Sequence, residues 1–284
     1  MGGRIGIVGG GRVARAMALG LGDGAARPPL LWARDAARAR AAAAAVGAQA
    51  AGAMAALREC GMIVLAVSDD AVAGVAQGLA AHVRPGAFVF HVSGRSGAAV
   101  LEPLRQAGAL TAAVHPAMTF TGDPKAEVAR MAGARFAVTA PDAAGLERAR
   151  SVVARLGGVA VEVPEAQRSL YHAALCHGAN HLVTLIAGAG DALRAAGVTE
   201  PGALLGPLVR AALENSLAHG FTALTGPVLR GDAETVAGHV AALGRDCPAV
   251  LPAYRAMAGA TVAMLKAAGR SADEALRAAI DAAD

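Results

Sequence analysis

Three consecutive stretches near the start of the chain decide the fold: RIGIV at residues 4–8, GGGRVA at residues 9–14 and RAMAL at residues 15–19. The first stretch is short and apolar, which is typical of a buried strand, and the third has the composition of a helix. The stretch between them matches G-x-G-x-x-A. Strand, glycine-rich turn and helix follow one another in the order of a dinucleotide-binding βαβ unit. The sequence therefore predicts a dinucleotide site at the start of the chain.

The residues of this turn have distinct predicted roles. Gly9 permits the tight turn, and Gly11 lets the backbone approach a pyrophosphate. Ala14 is small enough for the helix to pack on the strand. The unpaired N–H groups at the helix start, around Arg12 and Val13, carry a partial positive charge that favours phosphates. We predict that all five residues belong to the cofactor site.

Composition limits the class of protein. Of the 284 residues, 55% are hydrophobic and 17% are charged, which supplies a packed core and excludes general disorder. The formal net charge is +4, but the basic residues are scattered and are not interleaved with aromatics, so no nucleic-acid partner is expected. The densest basic cluster, Arg34, Arg38 and Arg40, suits an anionic ligand or a solvated surface.

Cysteine spacing and hydropathy indicate the compartment. Cys60, Cys176 and Cys247 are far apart, which argues against a disulfide framework and a zinc site and fits a reducing cytoplasm. The first predicted strand begins at Arg4, which leaves no room for a signal peptide. No segment has the length and apolar character of a membrane span. We expect a cytoplasmic protein with no metal and no membrane partner.

Strands and helices alternate over the first part of the chain. This alternation predicts an α/β fold with a doubly wound, mostly parallel sheet. The predicted strands after the first are residues 30–33, 62–67, 87–92, 135–139 and 159–163, and the predicted helices include residues 35–46, 71–82 and 142–156.

The pattern changes near Pro164. From there to the end nothing resembles a strand, and four or five helices are separated by glycine and proline. We therefore predict a dinucleotide-binding domain over residues 1–164 and an all-α C-terminal domain over residues 165–284, which binds substrate and another subunit.

The end of the second predicted strand bears on the choice of cofactor. NAD-binding folds usually place an acidic residue there to bind the ribose 2′-hydroxyl. In this chain Ala33 and Arg34 follow Trp32, and the guanidinium suits a 2′-phosphate, with Arg12 as a second cation. We predict NADP(H). Asp35 is the complication, because a shift of one residue turns it toward the ribose and favours NAD.

Polar residues follow several strands at the carboxyl edge of the sheet. Ligands bind at this edge in such folds, so these residues are expected around the nicotinamide. The candidates for cofactor contact are Val67, Ser68 and Asp69. Ser93 and His115, in strand-end loops, are candidate contacts of the nicotinamide or the substrate.

The first helix after Pro164 carries Tyr171, His172, Cys176 and Asn180. Cys176 and Asn180 are four residues apart and share a face of an α-helix, with His172 at the edge of that face. Buried polar side chains need partners, so these groups pair inside the core or face a cleft. We predict the cleft, with His172 as catalytic acid, Asn180 as an orienting group and Tyr171 as a substrate contact.

A second polar segment lies between later helices. It contains Arg230 and Asp232 beside Gly226-Pro227 and Gly231. The two charged residues are candidate substrate ligands, and an internal salt bridge is the alternative.

These motifs together resemble one family. The glycine-rich start, Ser93-Gly94, His115-Pro116, the 171–180 segment and the 224–232 segment are similar to Rossmann-like proteins with a C-terminal helical domain of unknown function. These proteins often carry the label NADP oxidoreductase, coenzyme F420-dependent type. The wider superfamily includes β-hydroxyacid dehydrogenases, pyrroline-5-carboxylate reductase and ketopantoate reductase. The resemblance implies homodimers built through the helical domain.

One departure from the superfamily matters. The hydroxyacid dehydrogenases use a lysine four residues before an asparagine, and this chain has Cys176 at that spacing from Asn180. His172 or His115 must then supply the proton. We expect an NADPH-dependent reductase of a carbonyl or imine in a small carboxylate-bearing substrate, ketopantoate-like molecules included. The alternative is a non-catalytic NADP-binding sensor, and an F420 dependence is a third option that no residue supports independently.

Overall fold

The computed structural model describes residues 3–270 and 274–282. The chain divides into two compact units, of which the first ends at Cys176 and the second begins at His177. The division falls later than the boundary predicted near residue 164. The reason is that the first helix after Pro164 is fastened to the first unit by the buried side chain of Arg168.

The first unit is built on an eight-stranded sheet in the order β3-β2-β1-β4-β5-β6-β7-β8. Every neighbouring pair is parallel except β6 and β7. The predicted doubly wound, mostly parallel sheet is therefore confirmed. The strands are β1 (Arg4–Val8), β2 (Leu30–Trp32), β3 (Gln49–Ala50), β4 (Cys60–Leu65), β5 (Phe88–His91), β6 (Leu110–Pro116), β7 (Arg135–Thr139) and β8 (Val159–Glu162).

Helices cover both faces of this sheet. Met17 and Val152 pack against one face, and Leu79 and Leu104 pack against the other. Burial on both faces explains why the central strands are almost continuously apolar. The helices of this unit are α1 (Arg12–Gly22), α2 (Ala36–Ala45), α3 (Val72–Leu79), α4 (Glu102–Gln106), α5 (Pro124–Met131), α6 (Ala143–Arg155) and α7 (Arg168–Leu175).

The sequence did not predict the antiparallel pairing of β6 and β7. His115 and Pro116 were expected in a strand-end loop, but they are the last two residues of β6. They remain in the strand because β7 runs beside them, with His115 opposite Ala137 and Pro116 opposite Phe136. This pairing places the His115 side chain on the sheet itself.

The second unit is helical throughout its described residues. Its α-helices are α8 (His181–Ala195), α9 (Pro201–His219), α10 (Pro227–Arg230), α11 (Ala233–Asp246), α12 (Leu251–Ala267) and α13 (Glu274–Asp281). Four or five helices were predicted after Pro164. The described chain has these six there and also α7 of the first unit. Between α7 and α8, Cys176–Asn180 form a π-helix. The predicted shared face of Cys176 and Asn180 assumed α-helical spacing, which a π-helix does not have.

Candidate active site

The glycine-rich turn joins β1 to α1. Gly9 has φ +127°, and a Cβ atom there would collide with the carbonyl oxygen of Ala66. Only glycine fits such a position. A Cβ atom at Gly11 would instead meet nothing within 4 Å, so its backbone faces open space. Ala14 is fully buried in the core, where it allows α1 to approach β1.

This open space belongs to a cavity of about 590 Å³ at the carboxyl ends of β1, β2 and β4. The β1–β4 neighbourhood is where the strand order of the sheet reverses, the usual place for a dinucleotide in such folds. Eight of the nine predicted cofactor residues line this cavity: Gly9, Gly11, Arg12, Val13, Arg34, Val67, Ser68 and Asp69. Ala14 is the exception, because it is buried beneath the turn. Trp32, Val92 and Phe120 also line the cavity, although they were not among the predicted cofactor residues.

Cations outnumber free carboxylates at the end of β2. Arg34 and Arg38 line the cavity, and neither forms an ion pair within residues 3–270 and 274–282. Asp35 also lines the cavity, but its carboxylate caps α2 by accepting the N–H groups of Ala37 at 2.8 Å and Arg38 at 3.1 Å. The guanidinium of Arg34 is therefore available to an anion, whereas Asp35 has a structural role. Together with the open face of Gly11, this arrangement fits a dinucleotide that carries a 2′-phosphate.

The loops after β4 and β5 are joined by an arginine. Arg95 forms ion pairs with Asp69 at 3.6 Å and with Asp70 at 2.5 Å. Ser68 precedes the turn of 3-10 helix that carries both carboxylates, and its side chain makes no capping hydrogen bond there. The wall of the cavity at Val67–Asp69 is thus held by a surface ion-pair network.

His91, the last residue of β5, organises the turn that follows it. Its Nδ1 accepts the N–H of Ser93 at 3.1 Å, so Nε2 carries the proton and donates to the carbonyl oxygen of Gly97 at 2.8 Å. Both ring nitrogens are satisfied in the neutral form. Burial lowers the pKa of His91 to about 4. His91 is therefore a neutral structural group at physiological pH.

Ser93 is also committed to this turn. Its hydroxyl oxygen accepts the N–H of Ser96 at 3.2 Å, and its carbonyl oxygen accepts a bond from Arg168 at 2.7 Å. The hydroxyl hydrogen is left for a ligand. Because Val92 lines the cavity, the next residue, Ser93, marks the junction between the cavity wall and the turn.

His115 and Tyr171 form a hydrogen-bonded pair. The Nδ1 atom of His115 lies 2.8 Å from the Tyr171 hydroxyl, and the two rings meet edge to face. Burial, with a further contribution from the charge of Arg168, lowers the pKa of His115 to about 4. Burial raises the pKa of Tyr171. At neutral pH the pair is therefore an uncharged imidazole and an uncharged phenol, and His115 does not serve as a cationic acid.

His172 completes a cluster with this pair. Its ring meets that of His115 edge to face, with centroids 6.2 Å apart. Gly94 lies against both rings, because a Cβ atom there would approach His172 Cδ2 at 2.5 Å and His115 Nε2 at 3.0 Å. On the other side, His172 Nε2 lies 3.8 Å from the sulfur of Cys176. The first unit thus brings three predicted residues together: His115, Tyr171 and His172.

The remaining predicted residues belong to the second unit. Asn180 is exposed, and so is Arg230. Asp232 caps α11 by accepting the N–H of Thr235 at 3.0 Å and its hydroxyl at 2.7 Å. These bonds, the hydroxyl first, lower the pKa of Asp232. No ion pair between Arg230 and Asp232 occurs in the described chain, so the alternative of an internal salt bridge is not formed, and the Asp232 carboxylate caps a helix instead.

Two further findings concern the described residues as a whole. They contain no cluster of three or more histidine, cysteine or acidic side chains arranged to hold a metal ion. None of their helices is both long and apolar enough to cross a membrane.

Two family models match the chain. A Rossmann-like domain matches residues 3–116, and a domain of unknown function, DUF2520, matches residues 134–261. A search of curated proteins found no match. The second model begins at the start of β7, so it includes strands of the sheet as well as helices of the second unit.

Solved structures share the fold. A provisionally assigned NADP oxidoreductase from Bacteroides fragilis has a TM-score of 0.76 at 22% identity, with 91% of this chain and 97% of that chain covered. An imine reductase from Myxococcus stipitatus, solved with NADP+, has a TM-score of 0.69 at 20% identity, with 96% of this chain and 98% of that chain covered. A reductive aminase from Aspergillus terreus, solved with NADPH and ethyl levulinate, has a TM-score of 0.67 at 21% identity, with 99% of each chain covered. At these identities the likeness establishes a common fold.

The family models confirm the resemblance inferred from the sequence motifs. Both halves of that resemblance, the glycine-rich nucleotide domain and the later helical motifs, fall inside matched regions. The chain therefore carries a Rossmann-like domain followed by the domain of unknown function DUF2520.

Proposed function

We propose that this chain is an NADPH-dependent reductase that acts on a carbonyl or imine of a small, carboxylate-bearing substrate, ketopantoate-like molecules included. The observation that carries the proposal is a continuity within the first unit. Val92 lines the dinucleotide cavity, and the turn that follows it packs through Gly94 against His115 and His172. His172, the candidate proton donor, therefore adjoins the cavity proposed for the cofactor.

The cofactor proposal rests on Arg34. A bound nicotinamide supplies a hydride, and the choice between NADP and NAD depends on the group that meets the ribose. Arg34 has no acidic partner in the described chain, while the carboxylate of Asp35 is used as a helix cap. NADP is favoured over NAD on this ground, and no residue of the cavity favours coenzyme F420.

The proton donor that we propose is His172. It is half-buried and makes no hydrogen bond to the backbone of the described residues, whereas His91 is fully bonded and His115 is held neutral. Reduction adds a hydride to the carbonyl or imine carbon, and the ring of His172 delivers a proton to the oxygen or nitrogen. Tyr171 is the proposed substrate contact, oriented by His115, and the Ser93 hydroxyl hydrogen is available to the nicotinamide or the substrate.

The roles of Asn180, Arg230 and Asp232 in substrate binding are proposals from the sequence. The chemistry named for the structural relatives suggests which substrates to test. Reductive amination and imine reduction both pass through a C=N bond, so cyclic imines belong beside 2-keto acids in a substrate panel.

The test is NADPH oxidation, followed by absorbance, with a panel of keto acids and cyclic imines. We expect turnover by the wild-type chain and a fall in kcat of about 100-fold or more in His172→Ala, which is the usual effect of removing a positioned acid. NADPH affinity should change little. NADPH binding without turnover of any compound would favour the sensor alternative instead.

A homodimer is the proposed assembly. Of the 15 residues of α8 only Gly190 is buried, and of the 19 residues of α9 only Pro201 is buried. Large apolar side chains stand exposed on both helices, among them Val183, Leu208 and Leu217. Soluble monomers rarely expose apolar surface on this scale. A second copy of this chain is the occupant that we propose for these helices.

We propose the cytoplasm as the compartment. Cys60, Cys176 and Cys247 are all free thiols in the structure. Free thiols are typical of proteins in a reducing environment, which supports this location.

A further inference from the structure

Arg168, the first residue of α7, is the largest fully buried side chain of the described residues and is only 1% exposed. No carboxylate lies within ion-pair distance of it in the described chain. Its guanidinium instead donates to three backbone carbonyl oxygens: Ser93 at 2.7 Å, Ser96 at 3.0 Å and Ala137 at 3.4 Å. A buried arginine needs such partners because an uncompensated charge in the interior is costly.

The three carbonyl groups lie next to the proposed catalytic cluster. Ser93 follows the cavity wall at Val92, and Ala137 pairs directly with His115 across the β6–β7 ladder. The guanidinium carbon also lies 5.5 Å from the centroid of the Tyr171 ring, the geometry of a cation–π contact. One side chain thus links the turn after β5, the strand beside His115 and the helix that carries Tyr171.

Glu165, which carries the opposite charge to Arg168, binds the backbone just after the 93–96 turn. Its carboxylate accepts the N–H of Ala98 at 2.8 Å and of Ala99 at 3.3 Å. A Cβ atom at Gly97 would collide with that carboxylate, so the close approach requires glycine. Glu165 accepts N–H groups at the start of the 3-10 helix that follows the 93–96 turn, while Arg168 donates to carbonyl groups of the turn itself. The segment entering α7 therefore holds both the turn and the residues that follow it.

We propose that Arg168 is a positioning residue of the reductase site, which holds the 93–96 turn and α7 together so that Gly94, His115, Tyr171 and His172 keep their mutual packing. The proposal rests on the proposed function for its catalytic consequence. Loss of this fork, the three hydrogen bonds from the Arg168 guanidinium, lets α7 move relative to the cavity wall. The proposed proton donor, His172, then loses its alignment with the cofactor.

The charge of Arg168 has a second effect at the same place. It adds to burial in lowering the pKa of His115, whereas burial raises the pKa of Tyr171 and Arg168 opposes that rise. The other groups that act on His115 are His172 and His91, which also lower its pKa, and Asp69, which raises it. Arg168 thereby favours a neutral His115 that orients the phenol.

The experiment compares Arg168→Met, which removes the charge and the fork, with Arg168→Lys, which keeps only the charge. The pKa of His115 is read by NMR titration of histidine-labelled protein without substrate, with the signal assigned by its loss in His115→Gln. NADPH affinity, kcat and KM are measured with the best compound of the panel.

We expect Arg168→Met to raise the pKa of His115 by roughly half a unit or more and to lower kcat by about 10-fold or more, with NADPH affinity within about threefold of the wild type. Arg168→Lys should retain the low pKa of His115 but not the full kcat. The proposal is overturned if folded Arg168→Met keeps both the His115 pKa and kcat of the wild type.

If Arg168→Met does not fold, Arg168→Lys decides the question. A kcat and KM equal to those of the wild type in Arg168→Lys would also overturn the proposal. If none of the panel compounds supports NADPH oxidation by the wild-type chain, the proposed function fails. The NMR titration then still decides the effect of Arg168 on His115, so the two failures are distinguishable.

Discussion

At the scale of single residues, the nucleotide turn was predictable and the catalytic cluster only partly so. The roles of Gly9 and Gly11 follow from a motif in which every residue is local, so spacing alone identifies them. Arg168 and Glu165 were not predicted, because their partners lie 66 to 75 positions away along the chain at Ser93, Ser96, Ala98 and Ala99. No local pattern marks a buried arginine whose ligands are carbonyl groups.

The choice of cofactor is a residue-scale prediction. We expect NADPH to bind more tightly than NADH, and Arg34→Ala to lose roughly 1–3 kcal/mol of NADPH binding energy with little change for NADH, because only NADPH carries the phosphate that a charge-assisted bond would hold. Calorimetric titration of both cofactors against both proteins measures this. Arg40→Ala is the matched control, since Arg40 is exposed but does not line the cavity. Equal NADPH and NADH affinities in the wild type would contradict the assignment.

Among the elements, apolar runs identified β1, β2, β4, β5, β7 and β8, whereas no strand was predicted at β3 or β6. Residues 135–139 were predicted as the strand that the structure contains as β7. Its direction was not predicted, because an antiparallel neighbour depends on how the chain returns after β6 rather than on local composition. The π-helix at Cys176–Asn180 was also missed, since hydrophobic spacing does not distinguish it from a continuous α-helix.

The turn held by His91 predicts a pH dependence of stability. The pKa of His91 and of His115 is about 4 in the folded chain, below the ordinary 6.5. The unfolded chain therefore binds more protons between pH 6.5 and 4, and the free energy of unfolding falls as the pH falls through this window. For His91 alone the expected loss is on the order of 3 kcal/mol.

Urea unfolding between pH 7.5 and pH 4.5 measures this dependence. We expect His91→Gln to be less stable than the wild type at pH 7.5, because the turn loses hydrogen bonds to Ser93 and Gly97. Its stability should then decline less steeply with acid. If the free energy of unfolding fell equally steeply with pH in the two proteins, His91 would not be the group that titrates.

At the scale of the whole molecule, the fold class followed from the order of its elements, whereas the division into two units did not. The alternation of strands and helices predicted the sheet. The division after Cys176 depends on contacts made by α7, and these are long-range. Composition likewise gave no signal that α8 and α9 leave so much apolar surface exposed.

The proposed dimer is tested at this scale. We expect the wild-type chain to sediment as a dimer and Leu204→Asp/Leu208→Asp to sediment as a monomer, because these exposed residues lie one turn apart on α9 and their two charges would be buried unpaired in the interface. Val161→Asp is the matched control. This exposed apolar residue lies on β8, the edge strand of the sheet, and its substitution should leave the dimer intact. A monomeric wild type at all concentrations would contradict the assembly.

Hydride transfer from NADPH to a substrate can be followed as transfer of deuterium. NADPH with deuterium at both positions of nicotinamide C4, so that a hydride from either face is labelled, is incubated with the protein and the substrate panel, and the products are analysed by mass spectrometry. Gly11→Val is the control, because its side chain would enter the open space that the pyrophosphate needs without meeting any protein atom within 4 Å at Cβ. We expect a reduced product that carries one deuterium with the wild type and none with Gly11→Val. Tight NADPH binding with no labelled product from any compound would contradict it.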